Sequence, residues 1–137
     1  RILALAADIP HLGRLPAPQG TARQRSPLCG STVTADVVLQ GDRVAEFAQD
    51  VKACALGQAS AAVLGAAVIG RTLAELETAR DALRAMLKDG GPVPAAPFAG
   101  YEVLRPARDY RNRHASILLA LDAVCEAFAA AETAAAG

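Results

Sequence analysis

The spacing of apolar positions changes repeatedly along this chain, and each change marks an element. Ile2, Leu5 and Ile9 fall at helical spacing, so residues 2–9 read as a short helix that Pro10 stops. Residues 11–18 contain Gly13, Pro16 and Pro18 and read as an extended loop, while the polar run 20–25 reads as a short edge strand. Residues 32–39 alternate, with Val33, Ala35 and Val37 set against Thr32, Thr34 and Asp36, the pattern of a half-buried strand. Gln40-Gly41-Asp42 is a hairpin turn, and residues 43–51 form the return strand, anchored by Val44 and Phe47.

Beyond the hairpin the period becomes helical. Residues 55–68 form a helix of small side chains that ends at Gly70. Thr72, with Glu75 three residues later, forms a capping box, and Leu73, Leu76, Leu83, Met86 and Leu87 make an apolar stripe up to Lys88. Residues 89–100 read as a loop and residues 101–104 as extended or turn. A last helix is expected over residues 112–130, with His114, Leu118, Leu121, Cys125 and Phe128 on one face and an alanine-rich tail that frays from residue 129. The expected architecture is α+β, with a small antiparallel sheet of two to three strands packed against several helices in a two-layer sandwich. One domain spans residues 1–137: a helix and loop in 1–30, the hairpin in 31–51, two helices in 54–88 and the C-terminal helix in 112–131.

Composition narrows the choices. The chain has 137 residues, enough to bury a core without disulfides. It is 53% hydrophobic but only 4% aromatic, with no tryptophan, so alanine carries much of the apolar content. Lys+Arg and Asp+Glu both number 14, and this balance gives no overall attraction to nucleic acid or to an anionic membrane. The charge-free run 53–70 reaches the lower edge of a membrane span, but Gly57, Gln58, Ser60 and Gly65 make it a buried helix instead. No glycine-rich phosphate loop lies between a strand and a helix. Three cysteines, an odd and low number, argue against a disulfide framework and for the reducing cytoplasm.

The candidate chemistry lies in three short segments. Cys29 stands in Pro27-Leu28-Cys29-Gly30-Ser31, just before the hairpin. Cys54 follows it and opens a helix, where free backbone N–H groups favour a thiolate. A hairpin returns its far end to its near end, which brings the two cysteines together. His114 opens the final helix, and two thiols with one imidazole suit Zn2+ or an iron–sulfur cluster, one position remaining for solvent or another ligand. No C-x-x-C pair is present, and buried structural cysteines and a polar helix cap at His114 are the competing readings. Cys125 lies about 16 Å along the helix from His114 and is read as core. Lys52 reads either as a cation stabilising the Cys54 thiolate or as a solvated strand-end charge.

Taken together, Cys29-Gly30 after Pro27, and Cys54-Ala55-Leu56-Gly57-Gln58-Ala59-Ser60-Ala61 at the start of a helix, resemble the NifU/IscU/SufU family of iron–sulfur cluster assembly scaffolds. The string His114-Ala115-Ser116-Ile117-Leu118 is similar to the family's H-C-S-I-L, and residues 11–15 to its opening element. The likeness covers nearly the whole chain. It implies a scaffold or carrier, not an enzyme, that assembles a transient cluster on Cys29, Cys54 and His114. Sulfur would come from a cysteine desulfurase, and the cluster would pass to acceptor apo-proteins. Alternatives under the same resemblance are a zinc-binding SufU-like sulfurtransferase that accepts persulfide, and an interaction module keeping only the fold. Three departures stand out: Ser31 replaces the aspartate of the family's C-G-D motif and is its counterpart at the metal, the third cysteine is absent, and Ala53 replaces a glycine. Either Ala115 occupies the place of the third cysteine or His114 does.

Overall fold

A computed structural model describes residues 1–136. Elements follow in the order α1 (Ile2–Ala6), β1 (Gly20–Arg25), β2 (Thr32–Gln40), β3 (Arg43–Lys52), α2 (Ala55–Ala67), α3 (Leu73–Asp89) and α4 (His114–Ala136). Two 3-10 segments, Ala99–Asp109 and Arg111–Arg113, join α3 to α4. The sheet is an antiparallel meander in the order β1-β2-β3. Helix α4 packs on β1 and β2, and α2 and α3 pack against α4, so the helices share one core with the sheet in the α+β arrangement expected from the sequence.

Local rules account for most boundaries. Gly41 turns the hairpin with φ 63, a left-handed conformation that glycine adopts freely. Thr72 caps α3 through both arms of the capping box, and Gly90 ends it in the left-handed region with φ 67. Helix α1 ends at Ala6, earlier than the expected residue 9.

Two expectations need correction. Residues 101–104 are not extended: they belong to the 3-10 segment Ala99–Asp109, in which Tyr101, Leu104 and Ala107 are buried. Those three recur every third residue, the period of a 3-10 helix, so one edge of the segment closes the core. The alanine-rich tail does not fray from residue 129, because α4 continues to Ala136 and buries Ala131 against β1. Gly137 lies outside the described residues.

Helix α4 organises the core. By length and composition it could cross a membrane, yet most of its surface is covered by β1, β2, α2 and α3. Ile117, Leu121 and Phe128 are fully buried, as are Val33, Ala35 and Val37 on the facing side of β2. Strand β1 can lie close to α4 only because Gly20 has no side chain. A Cβ there would fall 2.0 Å from the Ala127 carbonyl oxygen and 2.6 Å from the Ala131 nitrogen.

The outer face of the sheet holds a surprise for the alternating pattern. Asp36 points away from the helices, as its register requires, but its side chain is fully buried. The segment 10–19 crosses that face. Gly13 N donates to Gln49 O at the β3 edge, Gln19 N donates to Val37 O near the β1 edge, and Arg14 and Leu15 lie between them over Asp36. Arg14 Nε donates to Asp36 at 2.6 Å, Leu15 N at 3.1 Å and Thr21 Oγ1 at 2.6 Å. Burial pushes this carboxyl upward, but the Arg14, Thr21 and Leu15 donors outweigh it, and the net shift is downward.

Two outcomes follow from this packing. Gly20→Ala forces main-chain atoms apart and should lower stability by about 1–3 kcal/mol, read as a reduced urea midpoint, whereas Arg23→Ala on exposed surface should change little. Asp36 has a folded pKa below its unfolded value, so its stabilisation is present above that unfolded value and fades as pH falls through the folded one. Asp36→Asn should cost about 1–3 kcal/mol at pH 7 and flatten the acid limb of a stability-against-pH curve. An acid limb identical to that of the unsubstituted protein would show that another carboxyl is responsible.

Candidate functional site

The connection from β1 to β2 is a closed loop. Ser26 N donates to Ser31 O at 2.8 Å, Gly30 N donates to Ser26 O at 2.9 Å, and Gly30 takes φ 68. Cys29 therefore sits on a rigidly pinned loop, half-buried, with its Sγ 3.3 Å from Ser26 Oγ and 3.3 Å from Ser31 Oγ. In the thiol form Cys29 Sγ donates to Ser26 Oγ; once the sulfur is a thiolate it can only accept, and the hydroxyls become the donors. Ser26 and then Ser31 hold the Cys29 thiol well below its usual range, at about 6.

Strand β3 ends at Lys52, directly opposite Thr32, so the chain leaves the hairpin beside the Cys29 loop. Cys54 is the N-cap of α2. Burial raises its thiol, but the Ser116 hydroxyl, the Gly57 and Leu56 amides and the Arg113 charge outweigh this, and the net direction is downward. Arg113, rather than the exposed Lys52, supplies the cationic field. The amide contribution is the one that the sequence predicts for a helix start.

Ser116 joins the two cysteines. It lies in the first turn of α4, buried, and donates to Ser31 Oγ at 3.0 Å. Its hydroxyl is also 3.5 Å from Cys54 Sγ, and Ser31 Oγ in turn lies 3.3 Å from Cys29 Sγ. Helix α2 comes this close to α4 because residue 57 is glycine: a Cβ there would sit 2.7 Å from Ser116 Oγ and 2.8 Å from Ala53 Cβ. Ser60, one turn further on, donates to Ile117 O and ties the same two helices.

The structure thus brings together Cys29, Cys54 and Ser31, three of the four residues expected at the site. It does not bring His114 with them. Positions two apart on a helix point about 200° away from each other, so His114 faces away from Ser116. Its Nε2 lies 3.2 Å from Ala107 O and 3.0 Å from Arg108 O, and it lines a polar cavity of about 480 Å³ with Lys88, Arg108 and Arg111. Among the described residues no group of three His, Cys, Asp or Glu side chains is placed to hold a metal ion. Ser26 and Ser116 were not singled out from sequence; the signal for Ser116 was its place one residue after Ala115 in the matched string. Cys125 is buried in the core, and burial pushes its thiol up to about 12, which removes it from thiolate chemistry.

Comparison with solved structures places this geometry. The structure of the N-terminal part of a nitrogen-fixing NifU-like protein from Brucella abortus superposes with a TM-score of 0.93 at 46% sequence identity, covering 96% of this chain and 92% of that one. The chain belongs to the NifU-like N-terminal domain family. A hypothetical protein of 25% identity superposes on this NifU-like domain with a TM-score of 0.82, covering 93% of the domain and 96% of that chain. A protein described as an iron–sulfur cluster assembly scaffold for the SUF system, from Fervidobacterium islandicum, shares the fold at a TM-score of 0.80 and 20% identity, with 93% of each chain covered. No family model matches the sequence, and no curated protein matches it.

The thiol environments are measurable. Alkylation of Cys29 in the NifU-like domain should show a midpoint near pH 6, since the thiolate exists above its pKa of about 6. Ser26→Ala removes the largest hydroxyl contribution and should move that midpoint upward. Mass mapping should find Cys125 unmodified throughout the neutral range. A midpoint that does not move in Ser26→Ala would remove Ser26 from the site.

Proposed function

We propose that this NifU-like domain is a carrier for iron–sulfur cluster assembly, with Cys29 and Cys54 as the thiolates that receive iron and sulfur. The single observation that carries this reading is that Cys54 and Cys29, two thiols of lowered pKa, are linked through the Ser116 and Ser31 hydroxyls at the base of a hairpin. Thiolates are the soft ligands that iron–sulfur clusters require. The similarity to a nitrogen-fixing NifU-like protein supports the same assignment. The domain acts as a scaffold rather than an enzyme: a cysteine desulfurase supplies sulfur, and acceptor apo-proteins take the product. His114, with its Nε2 against two carbonyls, is outside the ligand set. Two protein thiolates leave the cluster with few anchors, which suits a cargo that must be given up. Free, unpaired thiols of this kind fit a reducing cytoplasm.

Persulfide acceptance is the second reading, and the half-exposed Cys29 with its low pKa favours it. The Cys29 thiolate attacks the outer sulfur of a donor protein's persulfide. A new S–S bond forms on Cys29, the donor's S–S bond breaks, and the donor leaves as a thiolate, with no net oxidation. A resident zinc ion has less support, because no third His, Cys, Asp or Glu side chain stands beside the thiols among the described residues.

Anaerobic incubation with ferrous iron and sulfide should produce visible charge-transfer absorbance in the unsubstituted domain. That absorbance should vanish in Cys29→Ser and in Cys54→Ser and survive in His114→Ala. A colourless protein after reconstitution would reject the carrier reading, and persulfide transfer from a desulfurase, followed by mass spectrometry, would then decide the second.

A further inference from the structure

Charge balances over the whole chain, 14 against 14, but not around the cavity beside His114. Lys88 in the last turn of α3, Arg108 near the end of the first 3-10 segment, Arg111 in the second and His114 at the start of α4 line its wall, together with Leu87 and Asp109. Three permanent cations thus share one space with one carboxylate. Among the described residues, none of Lys88, Arg108 and Arg111 forms an ion pair, whereas Arg14, Arg43, Arg71, Arg80 and Arg84 all do. The fold holds this cluster in place. The Arg108 guanidinium lies over Gly90, the left-handed cap of α3, where a Cβ would stand 3.2 Å from its Nη2. His114 is 5% exposed, and its Nε2 meets the carbonyls of Ala107 and Arg108, so a buried ring fixes the main chain that carries Arg108. Two carbonyls at Nε2 call for its proton there. That leaves Nδ1 as an acceptor with no protein partner among the described residues. Cations at the end of α3 also offset the helix dipole, a role open to Lys88 and Arg108. It explains neither Arg111 nor the unpartnered Nδ1.

We propose that the cavity lined by Lys88, Arg108, Arg111 and His114 binds a compact multivalent oxyanion of the diphosphate class. Its volume of about 480 Å³ is in the range of small-molecule sites and leaves room beyond a single phosphate. Arginine presents a fork of N–H donors to pairs of phosphate oxygens, and lysine adds a point charge. A diphosphate keeps a proton on an outer oxygen near neutral pH and can donate it to Nδ1 of His114. No Phe, Tyr or Trp lines the cavity to stack a nucleobase, which favours the free diphosphate over a nucleotide tail. The proposal is independent of the carrier reading. His114 and Ser116 lie on nearly opposite faces of α4, so the cavity is turned away from the thiols and uses neither of them.

Calorimetric titration of sodium pyrophosphate into the metal-free protein at low ionic strength tests this directly. Saturable binding at one site is expected. Arg111→Ala and Lys88→Ala should each weaken it by about tenfold, the effect of losing one charged hydrogen bond. Both side chains are exposed, so these variants keep their fold, which melting curves check. Arg23→Ala, an exposed cation on β1, should bind as the unsubstituted protein does, and so should the double variant Cys29→Ser, Cys54→Ser. ADP should bind more weakly than pyrophosphate; an equal or tighter ADP would keep the diphosphate chemistry and assign it to a nucleotide tail. Absence of saturable binding at millimolar pyrophosphate would overturn the proposal. So would unchanged affinity in Arg111→Ala, an equal loss in Arg23→Ala, or citrate binding as tightly as pyrophosphate. Loss of binding in the double cysteine variant would move the anion to the thiols and overturn it too. A protein that stays colourless with iron and sulfide would count against the carrier reading alone.

Discussion

The structure depends on how closely α2 and α4 cross at their first turns. Gly57 has only hydrogen to place against Ser116, and Ser60 ties the next turn to the Ile117 carbonyl. The crossing belongs to the core, because the following residues of both helices, Ala61, Leu64, Ile117 and Leu121, are fully buried. It is also the floor of the thiol site. Packing energy and site geometry therefore come from the same contacts, and a side chain at residue 57 would disturb both. The buried side of the thiol site is thereby fixed by core packing, while Cys29 lies on a half-exposed loop.

The sheet contributes from the other side. Its inner face is filled by α4, with Gly20 permitting the approach, and its outer face is closed by residues 10–19 laid across it. Asp36 is the anchor of that crossing segment, with its charge met by Arg14 and its remaining lone pairs by Thr21 and Leu15. The outer edge of β3 is covered as well, since Gly13 and Gly70 both bond to it. Covered edges discourage pairing with other chains. Cys29 and Cys54, at the other end of the hairpin, are both half-buried.

Three cysteines occupy three electrostatic settings, and the settings separate their roles. Cys29 is surrounded by hydroxyls, Cys54 by a helix N-terminus and Ser116, and Cys125 by apolar core with acidic neighbours. The first two are held toward thiolate and the third away from it. Ser31 stands where the matched motif has an aspartate, so a neutral hydroxyl rather than a negative charge lies beside Cys29, which eases thiolate formation.

Much of this was written in the sequence by itself. The alternation in β2, the turn at Gly41, the capping box at Thr72 and the meeting of Cys29 with Cys54 across a hairpin all depend on local periodicity and on the short reach of a turn. The family likeness rests on the same local strings. Other features arose only in three dimensions. Asp36 reads as a solvent-facing position because strand alternation says nothing of a distant segment crossing the outer face. The 3-10 segment carrying Tyr101, Leu104 and Ala107 was hidden because a period of three over a few residues is a weak signal without the core that it closes. His114 and Ser116 share one short string, and the family likeness pointed to the histidine. Only the angle at which α4 meets α2 determines that the Ser116 hydroxyl, on the nearly opposite face, lies beside Cys54 while His114 meets the Ala107 and Arg108 carbonyls.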